Sequence, residues 1–208
     1  LDVLAVFLRY PEPGRVKSRL AAAVGTEQAA LAYRAMAETV LARLAGRGLF
    51  ETWVFYDPPE RGAGIRRWLD PYAVDSLFPQ CGSDLGERMY NAFAAAEAGG
   101  ARRTVLIGTD CPYVTTRHVE LAFEGLLEGD VVMGPALDGG YYLIAMASPR
   151  RELFDGIRWG GDTVLVETLE RIRKLGLTHS LLEPLRDIDR YEDYLYYLRV
   201  SAGPEEQP

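Results

Sequence analysis

Five short stretches of this 208-residue chain carry residue types that could act together on a charged ligand. RYPEPGRVKSRL, residues 9–20, sets Arg15, Lys17 and Arg19 just after Gly14. The glycine lets backbone approach a ligand closely, and basic side chains beside helix-start N–H groups suit a diphosphate. The segment lacks the spacing of a Walker A loop. QCGSDLGERM, residues 80–89, gathers Gly82, Asp84 and Arg88 at a helix start. Its glycine backbone and Arg88 could hold a nucleotide, while Ser83 or Asp84 equally suits a plain helix cap. GTDCP, residues 108–112, puts Asp110 directly after an apolar strand. A strand-end carboxylate is costly to bury unpaired, and one use for it is a hard cation bridged to phosphate oxygens. A turn or capping aspartate is the other reading. PALDGGYY, residues 135–142, places Asp138 before Gly139 and Gly140. That is ordinary hairpin chemistry, or a close approach for a sugar with Asp138 on a hydroxyl or metal. DIDRYEDY, residues 187–194, alternates Asp187 and Asp189, which share one side if a strand continues there. Asp189 then either shares a metal with Asp110 or caps the final helix.

Smaller signals surround these. Trp159, ahead of GGDT, is an apolar plate beside a helix start or a core residue. His118 and His179 stand alone, so a histidine metal site or a Ser/His/Asp triad has little support. Cys111 has no activating base nearby and reads as a small packed residue close to the site.

The elements that must position these residues alternate. Apolar runs at 2–8, 51–57, 73–78, 103–108, 130–135, 141–146 and 178–185 read as strands. Between most of them lie helical patterns, one of them opening at Thr26 as a plausible N-cap. This alternation predicts an α/β protein, a three-layer sandwich with a mostly parallel sheet covered on both faces. The short turn before 141–146 predicts one antiparallel strand there. Ligands of such sheets bind at the carboxyl ends of the strands, where these loops would converge. We expect one domain over residues 1–200 and a flexible tail over 201–208.

Composition narrows the partners. With 48% hydrophobic and 25% charged residues the chain reads as globular. A formal net charge of −7 argues against general binding to nucleic acid or anionic membranes. No apolar run reaches the roughly 20 residues of a membrane span. No signal peptide precedes the first strand, and two cysteines make no disulfide framework, so a cytoplasmic location is expected.

The five motifs, in this order, resemble a bacterial family of GT-A-like transferases known as selenodomain-associated transferase 1 or arsenosugar-biosynthesis glycosyltransferases. The resemblance runs over nearly the whole chain. It implies the nucleotide-diphospho-sugar transferase fold shared by glycosyltransferases and small nucleotidyltransferases. It implies that Gly14, Lys17 and Arg19 handle phosphates and that Asp110 holds Mg²⁺ or Mn²⁺; beside them, on the reading of the residues above, Arg15, Gly82, Asp84 and Arg88 are expected on the nucleotide. D-C-P lacks a second aspartate, so the resemblance points to Asp189 as the second ligand, with Asp138 competing. Asp110, Lys17 and Asp138 then serve catalysis, and Gly139, Gly140, Tyr141 and Trp159 the acceptor side. The function this implies is metal-dependent glycosyl transfer from a nucleotide-sugar to a small acceptor. Nucleotidyl transfer from a nucleoside triphosphate to a phosphorylated small molecule is the alternative, and a non-catalytic nucleotide-sugar-binding module is a third reading.

Overall fold

The structure, a computed structural model, describes residues 1–201. Strand β1 (Asp2–Arg9) is an unbroken apolar run because both of its faces are covered. Leu4, Val6 and Leu8 enter one core and Val3, Ala5 and Phe7 the other. It lies between parallel partners β2 (Glu51–Asp57) and β4 (Arg103–Gly108), and β3 (Ser76–Pro79) extends the sheet beyond β2. On the other side β6 (Tyr141–Met146) runs antiparallel to both β4 and β5 (Val131–Pro135), and β7 (His179–Leu181) pairs in parallel with β5. The order is β3-β2-β1-β4-β6-β5-β7, so the single reversed strand is the one expected at 141–146.

Helices α2 (Thr26–Leu44), α3 (Gly62–Leu69) and α5 (Thr116–Gly125) cover one face. Helices α4 (Leu85–Ala98) and α6 (Val164–Lys174) cover the other. This is the three-layer architecture the alternation predicts. Two further helices, α1 (Ser18–Val24) and α7 (Tyr191–Ser201), pack beside α2. Among the described residues no helix is long and apolar enough to cross a membrane.

Three boundaries differ from the sequence expectation. The run at 178–185 pairs only over His179–Leu181, with one further bridge from Leu185 to Ala136. Pro184 interrupts the ladder because it has no N–H to donate. Thr26 is the first residue of α2 and Gly25, at φ 86°, is its cap. In the third case, β3 begins at Ser76, just after Asp75 exchanges hydrogen bonds with Thr52. Of the tail expected at 201–208, Ser201 closes α7 and the remainder lies outside the described residues.

Candidate functional site

The carboxyl ends of β1, β3, β4 and β5 share one sheet edge, as the parallel register requires. A cavity of about 1150 Å³ opens there, with Lys17, Arg19, Asp110, Asp138, Asp187 and Trp159 in its lining. A smaller hollow of about 460 Å³ lies near the other ends of the strands, and no lysine or arginine lines it. Only the larger one combines carboxylates with the basic side chains that a phosphorylated ligand needs.

Its floor is set by Tyr33 from α2. The buried hydroxyl accepts from the Arg9 N–H at 2.7 Å and the Thr109 hydroxyl at 3.1 Å, tying together the ends of β1 and β4. Burial first, and then the charge of Asp110, push the Tyr33 pKa well above the usual phenol range. The hydroxyl therefore serves as a fixed neutral tether.

Asp110 lies two residues past the end of β4, and the Ile188 N–H donates to its carbonyl at 2.8 Å. The Asp110 side chain is 54% exposed, and its Oδ1 lies 2.7 Å from the ammonium of Lys17. Lys17 itself is buried and also donates to the Ile188 carbonyl. The two residues expected to serve phosphate and metal separately are thus an ion pair. Arg19 and Asp189 repeat the pattern nearer solvent, 2.7 Å apart. Gly14 and Arg15 are exposed and lie outside the cavity lining.

Asp187, to which the resemblance gives no role, lines the same cavity. Its Oδ1 is fully buried and has no hydrogen-bond partner among the described residues. Burial, then Asp110 and Asp138, push its carboxyl up to about 7, against the opposing pull of Lys17. The sequence signal was present in the D-I-D alternation. Asp187 and Asp189 do not share a side, however, because the strand that would enforce alternation stops at Leu181. Ile188 is buried between them, Asp187 turns toward the carboxylates and Asp189 toward Arg19. Asp189 does not cap α7 either: Asp193 accepts from the Arg190 N–H at 3.0 Å.

An orphaned buried carboxylate oxygen, surrounded by further carboxylates, is the environment that a cation would relieve. Asp110 and Asp187 are the carboxylates here of the type that would hold a hard divalent ion. Among the described residues no group of three or more His, Cys, Asp or Glu forms a complete set. An ion here would take its remaining ligands from phosphate and water, as Mg²⁺ commonly does.

The other predicted residues are drawn to the same edge but have structural partners. Asp84 caps α4, accepting from the Glu87 N–H at 2.8 Å, and Glu87 accepts in return from the Ser83 N–H. Arg88 pairs with Asp57 at 3.1 Å and donates to the Gly82 carbonyl. Gly82, at φ 139°, is required because a Cβ there would sit 2.7 Å from the Arg88 nitrogen. Asp138 accepts from the Gly140 N–H at 2.9 Å, which is hairpin-turn chemistry. A Cβ on Gly139 would come within 2.0 Å of the Asp162 carbonyl oxygen, so this glycine makes room for the 158–163 strap. The Tyr141 hydroxyl points to Met89 Sδ and the Tyr142 hydroxyl to the Glu183 carbonyl, so neither is free for a sugar. Trp159 lies against Gly86 and near Phe154 while lining the cavity. Cys111 is buried as expected, and burial, followed by the charge of Asp187, raises its pKa far above the usual thiol range.

Comparison with known proteins agrees with this fold. The model of the family "Uncharacterized protein conserved in bacteria (DUF2064)" matches residues 40–161. A crystal structure of a candidate nucleotide-diphospho-sugar transferase from Desulfovibrio desulfuricans G20 superposes with a TM-score of 0.88 at 34% identity, covering 99% of this chain and 89% of that one. CMP:2-keto-3-deoxy-manno-octonic acid synthetase, complexed with CTP, matches at 0.58 and 13% identity over 98% and 99% of the two chains. 4-Diphosphocytidyl-2C-methyl-D-erythritol synthase from Anaerococcus prevotii DSM 20548 matches at 0.61 and 10% identity over 95% and 98%. The last two likenesses establish the fold alone. No curated protein matches the sequence.

Proposed function

Because the chain belongs to the bacterial DUF2064 family, and because its cavity gathers Asp110 and an orphaned Asp187 beside basic side chains, we propose that it is a metal-dependent transferase acting on a nucleotide. The first reading is glycosyl transfer. The bond from the donor sugar's anomeric carbon to the diphosphate oxygen breaks, a nucleoside diphosphate leaves, and the acceptor's nucleophilic oxygen bonds to that carbon. The 34% identical relative, described as a candidate nucleotide-diphospho-sugar transferase, supports this reading. The narrower assignment, to the selenodomain-associated or arsenosugar type, belongs to the same proposal.

The chain's own residues would divide the work. Asp110 and Asp187 would hold Mg²⁺ or Mn²⁺, with Asp189 and Asp138 farther from that role because Arg19 and the Gly140 N–H engage them. When bound, such an ion would neutralise charge on the departing phosphate oxygens. Arg19, 58% exposed, would exchange Asp189 for the phosphates. Trp159 and the strap that carries it would close the acceptor side.

Nucleotidyl transfer is the second reading. A substrate phosphate would attack the α-phosphorus of a nucleoside triphosphate and pyrophosphate would leave. The observation favouring it is that the Tyr141 and Tyr142 hydroxyls are spent inside the protein, which removes the aromatic argument for a sugar.

The test is a panel of nucleotide-sugars and nucleoside triphosphates incubated with Mn²⁺ and analysed by mass spectrometry. Release of nucleoside diphosphate supports glycosyl transfer, and release of pyrophosphate supports nucleotidyl transfer. Asp110→Asn should abolish the Mn²⁺-dependent part of either. Turnover in that variant with unchanged metal dependence would refute the proposed site.

A further inference from the structure

The 23 basic residues of this chain include only two lysines, Lys17 and Lys174. Lys17 is also the one non-glycine residue with positive φ among the described residues, at 50°. A side chain in the left-handed region persists only where its surroundings over-determine it. Here the constraint is the ammonium. The side chain is 3% exposed, and its ammonium lies 2.7 Å from Asp110 Oδ1 and donates to the Ile188 carbonyl. Arginine would bring a broad planar fork where a compact point charge is needed. Two of the three donors of Lys17 are thus committed to Asp110 and the Ile188 carbonyl, a holding role that the resemblance does not give it.

We infer that Lys17 is a positioning residue: a tethered counter-cation that holds Asp110 and the 187–189 segment in register and opposes a divalent ion at the Asp110–Asp187 pair. The inference rests on the metal-dependent reading for the ion, and on the ion pair for the lysine. An ammonium and a dication drawn to the same carboxylate repel each other at a few ångströms, so each weakens the other's hold. That antagonism is reciprocal by thermodynamic necessity. Its consequence is ordered occupancy. The ion binds weakly until nucleotide phosphates add ligands and take up part of the positive charge.

Two measurements on nucleotide-free protein test this. The first is Mn²⁺ affinity, by electron paramagnetic resonance, of the wild type and Lys17→Met, which keeps the unbranched stem as far as Cε and removes the ammonium. The variant should bind Mn²⁺ about tenfold more tightly. The second needs no variant. Pulsed acylation of amines, read by mass spectrometry, compares Lys17 with exposed Lys174 as an internal reference. Lys17 should label slowly, and Mn²⁺ alone should accelerate it relative to Lys174. Equal or weaker Mn²⁺ binding by Lys17→Met would overturn the inference. So would Lys17 labelling that Mn²⁺ leaves unchanged, or no Mn²⁺ binding at millimolar concentration by either protein. Neither readout involves turnover. A protein that transfers nothing yet shows both effects would refute the transferase reading and leave this one standing.

Discussion

Replacing Asp187 with asparagine should stabilise the protein at alkaline pH while removing its response to metal and nucleotide. The carboxyl moves from an ordinary 3.8 to about 7 in the fold, because of burial first and then of Asp110 and Asp138. Below pH 3.8 the group is protonated in both folded and unfolded chains and has no effect on stability. Between there and about 7 the unfolded chain ionises first, and the stability associated with the protonated form is progressively lost. Above about 7 the loss is complete. A shift of this size corresponds to about 4 kcal/mol at most, and partial exposure of the residue reduces it to about 2–4 kcal/mol. For a chain of this length that is a rise in Tm of about 5–15 °C for Asp187→Asn at pH 8. The assay is thermal unfolding in EDTA from pH 4.5 to 8.5. The variant's advantage should shrink toward zero at the acidic end. Adding Mn²⁺ with a nucleoside diphosphate should then raise the Tm of the wild type more than that of the variant. A variant no more stable than wild type at pH 8, or an advantage that persists unchanged at pH 4.5, would refute the strained-carboxylate argument.

Arg19→Ala should change stability by less than about 1 kcal/mol, because the Arg19–Asp189 pair is exposed. It should weaken nucleoside diphosphate binding by about 1–3 kcal/mol, measured by calorimetry, and unchanged affinity would remove Arg19 from the site. Gly139→Ala combines a backbone at φ 92° with a Cβ 2.0 Å from the Asp162 carbonyl oxygen. It should cost about 2–4 kcal/mol in urea denaturation. A cost below about 1 kcal/mol would show that the hairpin does not pack against the strap as described.

The sheet was legible because its signal is local. A strand buried on both faces must be apolar throughout, and β1 is; a two-residue scale of turn chemistry forces the reversal at β6. The convergence of loops on one edge follows from parallel register and needs no side-chain detail. What was not legible is pairing. Nothing in R-V-K-S-R or T-D-C-P says that Lys17 and Asp110, 93 positions apart, neutralise each other, because that depends on a left-handed backbone at a lysine. That Asp187 turns toward Asp110 and Asp138 while Asp189 turns toward Arg19 was hidden for a related reason. Alternation is reliable only inside a hydrogen-bonded ladder, and Pro184 had already ended that ladder. The glycines misled in the same direction. Gly82 and Gly139 do mark close approaches, but the approaching groups are Arg88 and Asp162 of the same chain.

These pairings explain why a basic loop sits in an acidic protein. Lys17 holds Asp110, Arg19 holds Asp189, Arg88 holds Asp57 and Arg186 holds Asp193, so the cavity without ligand is largely self-neutralised. Asp84, Asp138, Asp162 and Asp187 line it without an ion pair among the described residues, and of these Asp187 alone has a buried carboxylate oxygen left without a hydrogen bond. Admission of a metal–nucleotide pair would then be an exchange of partners. Phosphate oxygens would take up an arginine, the cation would take up carboxylates, and net charge in the cavity would change little. Such exchanges avoid the large desolvation cost of bringing one bare charge into a half-buried site. A cation alone meets the opposing ammonium of Lys17, and a phosphate alone meets Asp110, Asp138 and Asp187. Each component is disfavoured singly and accommodated jointly, so on this reading metal and nucleotide bind with positive coupling that depends on Asp187 and Lys17 together.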